Sequence, residues 1–96
     1  PAAARTVAGD YAVDSTGATD FMILVDASAS PKTVTLPAAA DKTDRMYCVK
    51  KIDPSANAVT VATAGNDRLD GAASRTLAAQ WDGVLVRSNG LAWYIL

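Results

Sequence analysis

Short β-type runs recur along this chain about every 8 to 12 residues, separated by clusters of Gly, Asp, Asn, Ser and Pro, and no stretch shows helical periodicity of ordinary length. That spacing predicts an all-β domain: a small antiparallel β-sandwich or barrel with short turns. Phe21-Met22-Ile23-Leu24-Val25 is a continuous apolar run between Asp20 and Asp26, which reads as a strand covered on both faces at the centre of the core. Thr33-Val34-Thr35-Leu36 alternates, placing Val34 and Leu36 on one face and the threonines on the other, and Pro37 ends it with room for one helical turn beyond. Met46 to Ile52 and Ala58 to Ala62, joined by Asp53-Pro54-Ser55-Ala56-Asn57, are expected to form a hairpin. A weaker strand is expected around Ser74 to Ala78, and the run from Thr6 to Val13 reads as an edge strand or an arm.

The last fourteen residues give the strongest local signal. Gly83 to Ser88, Asn89-Gly90 and Leu91 to Leu96 read as a C-terminal hairpin, because Asn-Gly is the preferred two-residue turn. Pairing Ser88 with Leu91 sets Val86 opposite Trp93 and Val84 opposite Ile95, which makes one face wholly apolar. The other face carries Leu85, Arg87, Tyr94 and Leu96, a mixed set that fits either a subunit interface or a second layer of the same domain.

Composition narrows the function. Ninety-six residues form one domain with a thin core, because Ala supplies much of the 50% hydrophobic content, so oligomerisation is an expected source of stability. There is no His, and all ten acids are Asp, which removes the commonest proton-transfer residue and favours turns over helices. A net charge of -1 gives no basic field for nucleic acid, and no segment approaches the length of a membrane span. Cys48 is alone, so neither an internal disulfide nor a multi-Cys zinc site is available. The run Asn66 to Gly71 lacks the alternating acids and terminal Glu of a calcium loop, and no glycine-rich phosphate motif is present. No catalytic residue, cofactor or metal is therefore expected, and the chain reads as a non-enzyme. Trp81 and Trp93 are the candidate glycan contacts if exposed, with core or interface packing as the competing reading.

The order of segments resembles a known family. Asp20 to Asp26, Thr33-Val34-Thr35-Leu36-Pro37-Ala38-Ala39, Tyr47 to Asp53, Asn57-Ala58-Val59-Thr60-Val61, Leu69-Asp70-Gly71-Ala72 and Ser88 to Leu96 together look like a small β-domain of tailed-bacteriophage structural proteins. The resemblance covers residues 20–96, which are expected to form the single β-domain, leaving 1–19 as an N-terminal strand or arm. It implies a virion structural protein without catalytic residues. The expected form is a capsid decoration (cement) protein, a homotrimer bound to the major capsid protein on the virion surface and assembled in the host bacterial cytoplasm. Pro1 matches what removal of an initiator Met leaves, so a complete chain is expected, which favours decoration protein over fibre; a trimmed fragment is the alternative. Pro1, Ala2, Ala3, Ala4, Arg5, Thr6 and Val7 are the candidate capsid-attachment segment, and deleting residues 1–10 is expected to abolish capsid binding while leaving the fold intact. A tail fibre, spike or carbohydrate-binding module is the alternative function, and neither nucleic acid nor membrane is an expected partner.

Overall fold

The computed structural model describes residues 3–16 and 19–96; Pro1 and Ala2 of the candidate attachment segment lie outside the described residues. Nine strands occur in the order β1 (Ala3–Val7), β2 (Tyr11–Ala12), β3 (Asp20–Val25), β4 (Lys32–Thr35), β5 (Met46–Lys51), β6 (Val59–Ala62), β7 (Ser74–Leu77), β8 (Gly83–Ser88) and β9 (Trp93–Ile95). A 3-10 turn, Ala39–Asp41, follows Pro37, in a connector expected to hold at most one helical turn.

The chain winds rather than zigzags. Its first six strands alternate between two sheets, so each strand lies parallel to the one laid down two strands earlier: β1, β3 and β5 in one sheet, β2, β4 and β6 in the other. Among the named strands, pairing is antiparallel where β7 folds back on β6, β8 on β5 and β9 on β8. The result is a five-stranded mixed sheet, β1-β3-β5-β8-β9, and a four-stranded mixed sheet, β2-β4-β6-β7, which enclose one core without closing into a barrel. This corrects the expected antiparallel arrangement. It also corrects the expected hairpin of β5 with β6, which lie in different sheets.

The physical reason lies in what the connecting residues bind. Asp53 does not make a tight turn back along β5. Its Oδ1 accepts from Ala27 N at 2.7 Å, and Asn57 Nδ2 donates to Ala27 O at 2.8 Å, so the β5–β6 crossing is tied to the β3–β4 crossing. The Thr6–Val13 run divides in the same way: Ala8 to Asp10 carry the chain from one sheet to the other, and Asp10 Oδ1 accepts from Thr33 N at 2.8 Å.

Alternation then fills the core. Ile23, Val25, Tyr47, Val49, Val84, Val86 and Trp93 point inward from one sheet, and Val34, Val59, Val61 and Leu77 from the other, with Leu36, Leu69, Ala27 and Ala39 closing the ends. Each large side chain so buried contributes about 1.5–3 kcal/mol, which is how an Ala-rich chain holds together. Trp93 is the largest: its ring lies 5.6 Å from that of Tyr47, and its Nε1 donates to Pro37 O at 3.1 Å.

β1 and β2 belong to this body. Val7 packs against the core, its carbonyl accepts from Asp26 N at 2.8 Å, and Arg5 Nε lies 3.2 Å from the buried Asp20 carboxylate. The first ten residues, expected to be removable, supply the edge strand of the five-stranded sheet and the acceptor for Thr33 N.

Candidate functional site

The C-terminal hairpin forms, with its register two residues from the expected one. Ser88 pairs with Trp93, Arg87 with Tyr94 and Val86 with Ile95, so the loop spans Asn89 to Ala92. Asn89 explains the longer loop, since its Oδ1 accepts from both Leu91 N (2.9 Å) and Ala92 N (3.0 Å), while Gly90 takes a φ of 91°. A shift of two preserves the faces. Val84, Val86 and Trp93 are buried with Ile95 beside them, and Leu85, Arg87, Tyr94 and Leu96 share the outer face.

Those four residues are one end of a larger surface. Across the five-stranded sheet, Ala4, Met22, Cys48 and Leu85 stand in register, and the hydrogen bond from Leu96 N to Leu85 O (2.8 Å) brings Leu96 into the same row. Thr6, Leu24, Lys50 and Gly83 form the row on one side, and Met46, Arg87 and Tyr94 the row on the other. Met22, Leu24, Met46, Cys48 and Leu85 are half-buried, while Tyr94 and Leu96 are 46% and 66% exposed. Residues within one row stand about 4.8 Å apart, and neighbouring rows about 6.7 Å apart. The sequence analysis found the hairpin end and missed Met22, Leu24, Met46 and Cys48. Two signals pointed there: the double-sided apolar run at Phe21 to Val25, and the alternation of Met46, Cys48 and Lys50 against Tyr47, Val49 and Lys51.

The charges on this face differ in their partners. Arg87 Nη2 lies 3.2 Å from Asp44 Oδ1, and Lys50 Nζ sits 5.9 Å from the centre of the Trp81 ring. Asp44, Arg87, Ser88, Asn89, Tyr94 and Leu96 line an open depression of about 300 Å³ at the hairpin corner. The outer face of the other sheet is different in kind, with Thr33, Thr60 and Thr76 in one row and Ala12, Thr35, Ala62 and Ser74 in the next.

The two tryptophans separate completely. Trp93 has no exposed surface, which corrects its candidacy as a glycan contact. Trp81 is 60% exposed, in the β7–β8 connection, with a φ of 74° that L side chains rarely adopt. The connection is held by Trp81 N donating to Lys51 O and by Asp82 Oδ2 accepting from Ala78 and Ala79 N, so this aromatic is presented on a fixed loop. In the candidate attachment segment, Ala4 and Thr6 point outward, and Arg5 and Val7 turn toward the core side.

Two polar clusters hold the crossings together. Lys51 Nζ is buried against Asp53 Oδ2 at 2.8 Å and also donates to Asp53 O at 3.0 Å. Burial acts to raise the Asp53 pKa, but the hydrogen bonds from Lys51, Ser55 and Ala27 outweigh it and hold the carboxyl well below the usual range. At the other end, Asp14 and Asp20 exchange backbone-to-carboxylate hydrogen bonds of 2.8 Å each, Tyr11 donates to Asp20, and Tyr47 donates to Asp14. Burial again works against ionisation, and the hydrogen bonds prevail, lowering both carboxyl pKa values; burial and the same carboxylates raise those of the two phenols. Among the described residues, every buried side-chain polar atom has a partner. These clusters are internally saturated, and their geometry serves the crossings.

Among the described residues, no group of three or more His, Cys, Asp or Glu side chains converges as a metal site, and no helix is long and apolar enough to cross a membrane. Comparison with family models, curated proteins and solved structures finds no match to this chain.

Proposed function

We propose that this chain is a structural protein of a bacteriophage virion, a capsid decoration protein that binds the outer shell as a homotrimer and stabilises it. The observation that carries the reading is the outer face of the five-stranded sheet, apolar on a domain whose core is already enclosed by its own two sheets. Such a surface is suited to being covered by protein, and in a decoration protein its burial would add interface area to a shell. The ordered set of segments resembling phage structural domains supplies the rest of the argument. Shells lacking the protein, mixed with purified chain, are expected to bind it and to melt at a higher temperature. Shells that neither bind it nor change their melting temperature overturn the reading.

The second reading is a carbohydrate-binding module of a tail fibre or spike. Trp81 favours it, since an exposed indole fixed on a braced loop is the kind of platform on which a sugar ring stacks. Glycan binding that disappears in Trp81→Ala, with no binding to shells, would replace the first reading with this one.

A further inference from the structure

We infer that Lys50 and Trp81 set the specificity of the shell contact, by taking an acidic side chain of the shell protein onto the Lys50 ammonium with its stem against the indole. The inference rests on the shell-binding reading and names the partner chemistry this face recognises. Three observations carry it.

The first is a cation without an anion. Arg5, Lys51 and Arg87, the other basic residues in the strands of the five-stranded sheet, are each paired with an aspartate: Asp20, Asp53 and Asp44. Among the described residues, Lys50 has no carboxylate partner although it is half-buried. Its chain neighbour shows the contrast, since Lys51 is buried and closed off with Asp53 at 2.8 Å. The acid of the adjoining connection, Asp82, is turned to the backbone, its Oδ2 accepting from Ala78 N at 3.2 Å and Ala79 N at 3.0 Å. A half-buried ammonium is therefore left for a carboxylate from outside, and such a pair strengthens as water is excluded around it.

The second is how the two side chains are held. Lys50 stands opposite Gly83, and a Cβ added there would lie 3.5 Å from Lys50 Cγ, so the lysine stem crosses the glycine. Its Nζ comes to 5.9 Å from the centre of the Trp81 ring. Trp81 is fixed by its N donating to Lys51 O at 2.8 Å, with a φ of 74°. An indole 60% exposed in a conformation L side chains rarely adopt adds little to the stability of the free chain, and such strain clusters where a residue serves a contact. Tryptophan is among the residues that most often anchor protein interfaces.

The third is the setting. Leu24 lies beside Lys50 in its row, and Met22, Cys48, Leu85 and Leu96 fill the next row with no charged side chain among them. A sugar would find few partners for its hydroxyls there, whereas a protein surface carrying an acid among apolar residues matches both parts. With a net charge of -1 the chain as a whole does not attract an acidic surface, so recognition of the acid falls to the local cation.

Binding of the purified chain to shells lacking it is measured at low and high salt for the unaltered chain, Lys50→Met, Lys50→Arg and Arg75→Met, the last an exposed position on the opposite sheet. Expected is a loss of affinity of about tenfold in Lys50→Met, although methionine makes the face more apolar, with recovery in Lys50→Arg and no change in Arg75→Met. Salt should weaken binding of the unaltered chain and leave Lys50→Met nearly unaffected. A Lys50→Met chain that binds as tightly as the unaltered one overturns the inference and leaves the shell reading standing. Binding of the unaltered chain that salt does not weaken has the same effect, and decides the matter should Lys50→Met fail to fold by circular dichroism. A chain that binds no shell overturns both, and binding of an oligogalacturonate through Lys50 and Trp81 in its place would assign the pair to an acidic glycan.

Discussion

Lys51 and Asp53 form an ion pair closed off from solvent, 2.8 Å from Nζ to Oδ2, and the same carboxylate accepts from the backbone of Ala27 on the neighbouring crossing. A buried pair of this kind is more costly to break than to omit, because removing one partner strands the other. Asp53→Ala leaves the Lys51 ammonium and the Ala27 N–H without their carboxylate, whereas Lys51→Met leaves Asp53 with hydrogen bonds from Ala27 and Ser55. The expected outcome is a much larger fall in melting temperature for Asp53→Ala than for Lys51→Met. Equal falls would mean that Asp53 does not tie the crossings.

The pH dependence of stability follows from the same groups. Asp14, Asp20 and Asp53 titrate lower in the folded chain than when unfolded, so their contribution is complete above the unfolded carboxyl pKa of about 4 and is lost as pH falls further. Tyr11 and Tyr47 titrate higher when folded, so their contribution is complete below the unfolded phenol pKa of about 10 and is lost above it. Thermal melts should show a plateau between these limits with a fall on each side. Tyr47→Phe should flatten the alkaline side, and an unchanged alkaline fall would assign it to other groups.

The two tryptophans should respond oppositely. Trp93→Ala removes the largest core side chain and is expected to cost about 3–5 kcal/mol in denaturant unfolding. Trp81→Gly replaces an exposed residue at a φ of 74°, where glycine carries no steric penalty, and should leave stability within about 1 kcal/mol of the original or raise it. A large loss at Trp81 would contradict its placement.

Deleting residues 1–10 removes β1, the Arg5–Asp20 pair and the acceptor for Thr33 N. The truncated chain should lose cooperative unfolding or melt far below the full chain, as followed by circular dichroism. Retention of the full-length melting temperature would show that β1 is dispensable.

Gly90→Ala tests the hairpin loop. Its φ of 91° disfavours any L side chain, and an added Cβ would stand 2.9 Å from Thr43 Oγ1. A loss of about 1 kcal/mol or more is expected in denaturant unfolding, and no loss would mean that the loop relaxes to another conformation.

Which residues form strands was legible along the chain. The expected run at Gly83 to Ser88 coincides with β8, and those around residues 21–25, 46–52 and 58–62 each match a strand to within a residue or so at their ends. Inward and outward sides were legible too: Val34 against Thr33 and Thr35, and Val86 and Trp93 against Arg87 and Tyr94. Alternation is a property of one strand and survives even a register shift of two. Partner choice is not, and here the sequence pointed the wrong way. Asp53 to Asn57 has the composition of a hairpin turn, yet Asp53 and Asn57 bind Ala27, twenty-six and thirty residues earlier, and carry the chain into the opposite sheet. That distant contact accompanies the parallel pairing of β3 and β5, which sets Met22 beside Cys48 and joins single apolar residues from separate strands into one face. Local periodicity follows from the backbone geometry of each segment, whereas sheet order depends on bonds between residues far apart in the chain, which is why the sequence showed the outward residues of single strands and only the fold joined them into one face.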